Sequence, residues 1–149
     1  MMAPPIPRRR ALQINESPEH TRAKIRLAKW LSAFAAEAGE PAPFRVVVEY
    51  PFTEAAGGVT AWDVCGFSRK PTIAMLRKRR GALICICDIV LIEGDTVTTA
   101  VEVVKTNTTP DWKVGWLRSH GVNVYEAAAE AILECRTRPA SLDTLMVLA

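Results

Sequence analysis

The sequence predicts an α/β domain with a mixed central sheet flanked by helices, and three observations carry that reading. Two apolar, β-branched runs, ALICICDIVLI and TVTTAVEVVK, flank Glu93-Gly94-Asp95, a composition suited to a hairpin. Both runs are apolar on both faces, as central strands covered on two sides must be. Around them lie segments of helical periodicity that alternate with short strands, which calls for helices on both faces of one sheet.

The elements follow in order. Residues 1–14 hold Pro4, Pro5 and Pro7 and then Arg8, Arg9 and Arg10, and read as a flexible basic arm before a single domain at 15–149. Ser17-Pro18-Glu19 places a capping serine, a first-turn proline and an acid on the positive end of a helix. Ala23, Leu27, Trp30, Leu31, Phe34 and Ala38 then recur at helical spacing, so 18–38 is an amphipathic helix stopped by Gly39 and Pro41. The β-branched stretch 44–50 (FRVVVEY) is a strand that Pro51 should end. Gly57-Gly58 marks a loop, 61–67 reads as a shorter strand, and 69–80 (RKPTIAMLRKRR) as a basic helix or loop. After the hairpin, Thr109-Pro110-Asp111 repeats the cap, proline and acid pattern and opens a helix that Gly121 ends. A strand at 122–126 (VNVYE) and a helix at 127–134 complete the domain.

Composition narrows the classes of function. Of 149 residues, 49% are hydrophobic and 23% charged, an ordinary globular balance. No apolar run is long enough to span a bilayer, and the first ten residues lack the apolar stretch of a secretory signal. Cys85 and Cys87 sit two apart on one strand, a geometry that closes no unstrained disulfide, and the expectation is a reducing, cytoplasmic setting. A net charge of +3 permits a nucleic-acid partner without demanding one.

Two carboxylates interrupt the apolar strands: Asp88 in ICICDIVLI and Glu102 in TAVEVVK. Burial without a partner would make either one costly or force it to stay protonated. A divalent cation compensates both, and so would pairing with Lys or Arg. Register decides whether they can share an ion. A three-residue turn at Glu93-Gly94-Asp95 puts them on one face, whereas a two-residue turn at Gly94-Asp95 puts them on opposite faces. His20 and Lys24 continue the Leu27 and Leu31 stripe at the start of the first helix, so that end faces either a polar pocket or solvent.

The order Glu16-Ser17-x-x-His20-x-x-x-Lys24, then Glu49, Cys87-Asp88-Ile89 and Val101-Glu102-Val103, resembles the competence CoiA-like branch of the PD-(D/E)XK nuclease superfamily. Thr106-Asn107, a helix containing Lys113, and the segment from Gly121 to Glu126 resemble its continuation. The resemblance covers most of residues 16–134. It implies a restriction-endonuclease-like core and a metal-dependent nuclease, with DNA favoured over RNA as substrate. Position by position, it implies Asp88 and Glu102 as metal-binding acids, Glu16 as the helical acid and Glu49 as the strand acid. The family's lysine two residues after the glutamate is Val104 here. Strand alternation turns Lys105 away, and Lys113 on the next helix is the implied catalytic cation. Oxygen ligands favour Mg2+ or Mn2+ over zinc. Arg69, Lys70, Arg77, Lys78, Arg79 and Arg80, with His20 and Lys24, are the expected nucleic-acid contacts, although a charge run is as often a solvated loop.

Other motifs carry less. The four cysteines fit no standard zinc spacing, His120 suits a helix C-cap, and Trp62, Trp112 and Trp116 suit core packing as well as base stacking. The alternative to an active nuclease is an inactive nuclease-fold protein, viral or from a mobile element, that binds nucleic acid or a protein partner. A purely structural or inhibitory partner protein with salt-bridged acids is the third reading.

Overall fold

A computed structural model describes residues 17–55, 58–59 and 83–149. The expected arm at 1–14, Glu16, the strand at 61–67 and the basic stretch from Arg69 to Arg80 lie outside the described residues.

Helix α1 (Pro18–Ala38) begins as its composition dictates, with the Ser17 side chain accepting the His20 N–H at 3.2 Å. Strand β1 (Arg45–Ala55) pairs with the two-residue β2 (Gly58–Val59) and, along most of its length, with β3 (Leu83–Glu93). Strand β4 (Thr96–Val104) returns antiparallel to β3. Helix α2 (Asp111–Ser119) then crosses one face and delivers β5 (Asn123–Ala128) parallel to β4. Helix α3 (Ala129–Glu134) and a short β6 (Met146–Leu148) follow, and the sheet order is β2-β1-β3-β4-β5-β6. The α/β class with a mixed sheet and helices on both faces is the one the sequence predicts.

Two apolar clusters sandwich the sheet. On one side Leu27, Leu31, Ile89, Val101, Val103 and Ile132 join α1 and α3 to the strands. On the other, Phe52, Cys87, Val90, Trp116, Leu117 and Val124 seat α2. Each fully buried aliphatic side chain here contributes about 1.5–3 kcal/mol relative to exposure. Cys85 and Cys87 are buried free thiols inside that second cluster, behaving as small apolar residues. Among the described residues no helix is long and apolar enough to cross a membrane.

The structure corrects several expectations. Strand β1 does not stop at Pro51, which lies opposite Ile86 in the ladder. Among the described residues β2 pairs with β1 only at Glu54 and Ala55, so no described strand lies beside Pro51 on that side to need its missing N–H. The N-cap of α2 falls on Pro110, with no side-chain cap, rather than on Thr109. Residues 127–128 extend β5 before α3 begins. The hairpin turn is the two-residue one, since Glu93 pairs with Thr96 across Gly94 (φ 62) and Asp95. By itself that turn would offset Asp88 from Glu102 by one residue. An irregularity between Leu91 and Ile92, where the partners jump from Val97 to Thr99, inserts one residue, so that Asp88 and Glu102 each lie directly beyond the last paired residues, Ile89 and Val101.

Candidate active site

The β3–β4 ladder ends at Ile89 and Val101. Beyond that point β3 stays with β1, through Cys87, Ile86, Cys85 and Leu83, while β4 stays with β5 through Glu102, Val103 and Val104. The sheet therefore forks between its two central strands. A fork deprives both strands of their ladder partners, and buried backbone groups need replacements.

Four side chains supply them. Glu102 Oε2 accepts the Asp88 N–H at 3.4 Å, and Asp88 Oδ2 accepts the Val103 N–H at 2.9 Å. From the α1 side, His20 Nε2 donates to the Val103 carbonyl at 2.8 Å and stands 3.4 Å from Asp88 Oδ2. From the α2 side, Lys113 Nζ donates to the Ile86 carbonyl at 2.7 Å and lies 2.5 Å from Glu102 Oε1. The result is a polar chain, His20–Asp88–Glu102–Lys113, that passes through the sheet from one helical layer to the other. Beside it Lys24, only 2% exposed, is ion-paired with Glu49, whose φ of 58 is unusual for a non-glycine strand residue.

Local pleating explains how the acids meet. Cys87 packs in the α2-side cluster and Ile89 in the α1-side cluster, so side-chain alternation breaks at Asp88. The same break occurs in β1 between Val48 and Tyr50, at Glu49. Asp88 is thereby aimed into the fork, where it meets Glu102.

Electrostatics separates the two carboxyls. Burial pushes Glu102 up to about 7; the ammonium of Lys113 opposes the rise and the neighbouring Asp88 adds to it. Burial also works against the charge of Asp88, but hydrogen bonds from His20, Glu102 and the Val103 N–H outweigh it and hold Asp88 below its ordinary value. Burial alone would discharge Lys113; the Glu102 carboxylate reverses this and keeps its pKa above the ordinary lysine value. Asp88 thus remains the anion and Lys113 the cation, and Glu102 is the group that takes a proton first. Cys87, next to this pair, is held protonated by burial and forms an apolar wall.

The expected site residues are distributed as follows. Asp88, Glu102 and Lys113 converge, with His20 completing the chain and Glu49 and Lys24 alongside it. His20 and Lys24 are partners of carboxylates inside this assembly. Lys105, 51% exposed, lies near Glu19 instead of Glu102. His120 caps α2, its Nδ1 donating to the Trp116 carbonyl at 2.8 Å while its ring stacks on Trp116.

One residue escaped the sequence reading. Glu126 is the register partner of Glu102 across β4 and β5, and its Oε2 accepts the Thr109 N–H at 2.6 Å. The available signal was another acid within a strand, in VNVYE.

The donor set suits a hard divalent cation. Asp88 and Glu102 offer oxygen ligands, and the buried Glu102 Oε1 faces the Lys113 ammonium. Among the described residues no group of three or more His, Cys, Asp or Glu is arranged to hold an ion. A cation here would have two protein carboxylates as ligands, fewer than a dedicated all-protein site supplies. No family model, curated protein or solved structure matches the chain.

Proposed function

We propose that the chain is a divalent-metal-dependent nuclease of the PD-(D/E)XK type with a restriction-endonuclease-like core. Its centre is the β3–β4 fork and its substrate is nucleic acid, DNA rather than RNA, in the cytoplasm. One observation carries the reading: two strand carboxylates converge and a helix-borne lysine reaches them, although the strand position expected for that lysine is Val104.

Asp88 and Glu102 would hold Mg2+ or Mn2+, which when bound neutralises phosphate charge and lowers the pKa of water. Asp88 is suited to this because His20 and the Val103 N–H keep it ionised and oriented. Lys113 keeps its proton beside the carboxylates and is suited to stabilise charge developing on a phosphate oxygen. Glu49, the strand acid of the resemblance, would act on the neighbouring strand β1, where Lys24 pairs with it. The basic residues Arg69, Lys70, Arg77, Lys78, Arg79 and Arg80 would contact the phosphate backbone without reading sequence.

A second reading has its own support. Each acid already has a basic protein partner: His20 for Asp88, Lys24 for Glu49 and Lys113 for Glu102. In that reading the network only satisfies the forked backbone, and the chain is an inactive nuclease-fold protein that binds nucleic acid or a protein. A cleavage assay on single- and double-stranded DNA and RNA, with Mg2+ or Mn2+, decides between them. The nuclease reading expects metal-dependent cleavage that Asp88→Ala abolishes. Wild-type protein that binds nucleic acid but cleaves nothing with either metal favours the second.

A further inference from the structure

Lys113 can serve the fork only if the first turn of α2 is held at one height above β4, and the apolar contacts α2 itself makes there, through Trp112 and Val114, are partial. Its N-cap is Pro110, which contributes no side-chain cap. The connection from β4, Lys105 through Thr108, is exposed. The buried anchors of the helix, Trp116 and Leu117, sit in its second half. Trp112 and Val114 in its first half pack against the same cluster but stay only partly buried, and a short helix anchored more firmly at its far end frays at its start.

The carboxylate of Glu126 adds a polar fastening at that end. Its Oε2 accepts the Thr109 N–H at 2.6 Å, and among the described residues this is the hydrogen bond tying that connection to the sheet. Thr109 lies four residues before Lys113, one helical turn away. Glu126 is also the β5 register partner of Glu102, so it fixes the start of α2 directly beside the strand position that Lys113 must reach. Its negative charge at the helix N-terminus adds a favourable dipole interaction. Two glutamates on neighbouring strands thus divide two donors, Glu126 taking the Thr109 N–H and Glu102 the Lys113 ammonium.

We infer that Glu126 is a positioning residue, one that holds the first turn of α2 so that the Lys113 ammonium engages Glu102 and the Ile86 carbonyl. The inference deepens the nuclease reading, yet the placement of Lys113 can be measured without any activity. What Glu126 must provide is an acceptor for one N–H, a task an amide oxygen also performs. A metal ligand at the same position would need the charge.

The test compares wild type, Glu126→Gln and Glu126→Ala in two measurements. The first follows the side-chain ammonium resonance of Lys113 by 15N NMR, assigned with Lys113→Ala. It should be sharp and slowly exchanging in wild type and Glu126→Gln, and lost to solvent exchange in Glu126→Ala. The second is cleavage, where Glu126→Ala should lower kcat roughly 10- to 100-fold, as misplacing a reacting group by about 1 Å does. KM and metal affinity should be unchanged, and Glu126→Gln should rescue kcat. A Lys113 signal unaltered in folded Glu126→Ala overturns the inference. So does Glu126→Gln behaving like Glu126→Ala, which assigns a charge role, or Glu126→Ala failing to fold while Glu126→Gln folds, which assigns a purely structural one. Absence of cleavage by wild type removes the nuclease reading alone and leaves the NMR comparison to decide this one.

Discussion

Glu102 is the residue whose state most exposes the tension in the fork. Its folded pKa of about 7 lies above the ordinary 4.5, so between those values the folded chain binds a proton that the unfolded chain releases. Stability of the metal-free protein should therefore fall as pH rises from about 4.5 to about 7, by roughly 3 kcal/mol from this group. Asp88 acts outside that window: its lowered pKa stabilises above its ordinary 3.8 and is lost as pH falls further. Urea unfolding across the pH range is the check, and Glu102→Gln should flatten the slope between 4.5 and 7. Lys113 makes the second expectation at this scale. On the proposed nuclease reading, Lys113→Ala should lower cleavage by roughly 10²–10³-fold, the cost of removing one donor to a developing oxyanion. Lys105→Ala, exposed and near Glu19, should cleave like wild type. Equal activity of Lys113→Ala and wild type would contradict the role given to Lys113.

At the scale of elements, α1 and the fork depend on each other. Helix α1 is seated by Leu27, fully buried against the sheet, and that seating carries His20 to the Val103 carbonyl. Leu27→Ala should cost about 2–5 kcal/mol by denaturant unfolding, through lost burial and the cavity left behind. Much of this level was legible in the sequence. Ser17, Pro18 and the Leu27–Leu31 stripe specify α1 because caps and periodicity are local signals. The two apolar runs around Gly94 specify a hairpin for the same reason. The pairing of Asp88 with Glu102 was expected, but the register behind it was not legible, because it depends on a strand irregularity at Leu91 and Ile92 and on a fork created by pairing with β1 and β5. Glu126 was missed because its role is set by a parallel neighbour that no local pattern reveals.

For the whole molecule, the sheet separates two apolar layers, and the polar chain through the fork is what links them. Leu27→Ala and Leu117→Ala lie in different clusters, so their destabilisations should add within about 0.5 kcal/mol. His20→Ala and Lys113→Ala, also on opposite sides, act on one network through Asp88 and Glu102. Their double-mutant cycle should show a coupling above about 0.5 kcal/mol, and strict additivity would mean the chain is not continuous. This connection is what a cation would enter, competing with His20 and Lys113 for the same oxygens. Calorimetric titration of the wild-type chain and Asp88→Ala with Mn2+ tests that claim most directly. Binding to wild type that Asp88→Ala abolishes is the expected result. No binding to wild type, or equal binding to both, would contradict it and leave the fork as a charge-balanced repair of the sheet.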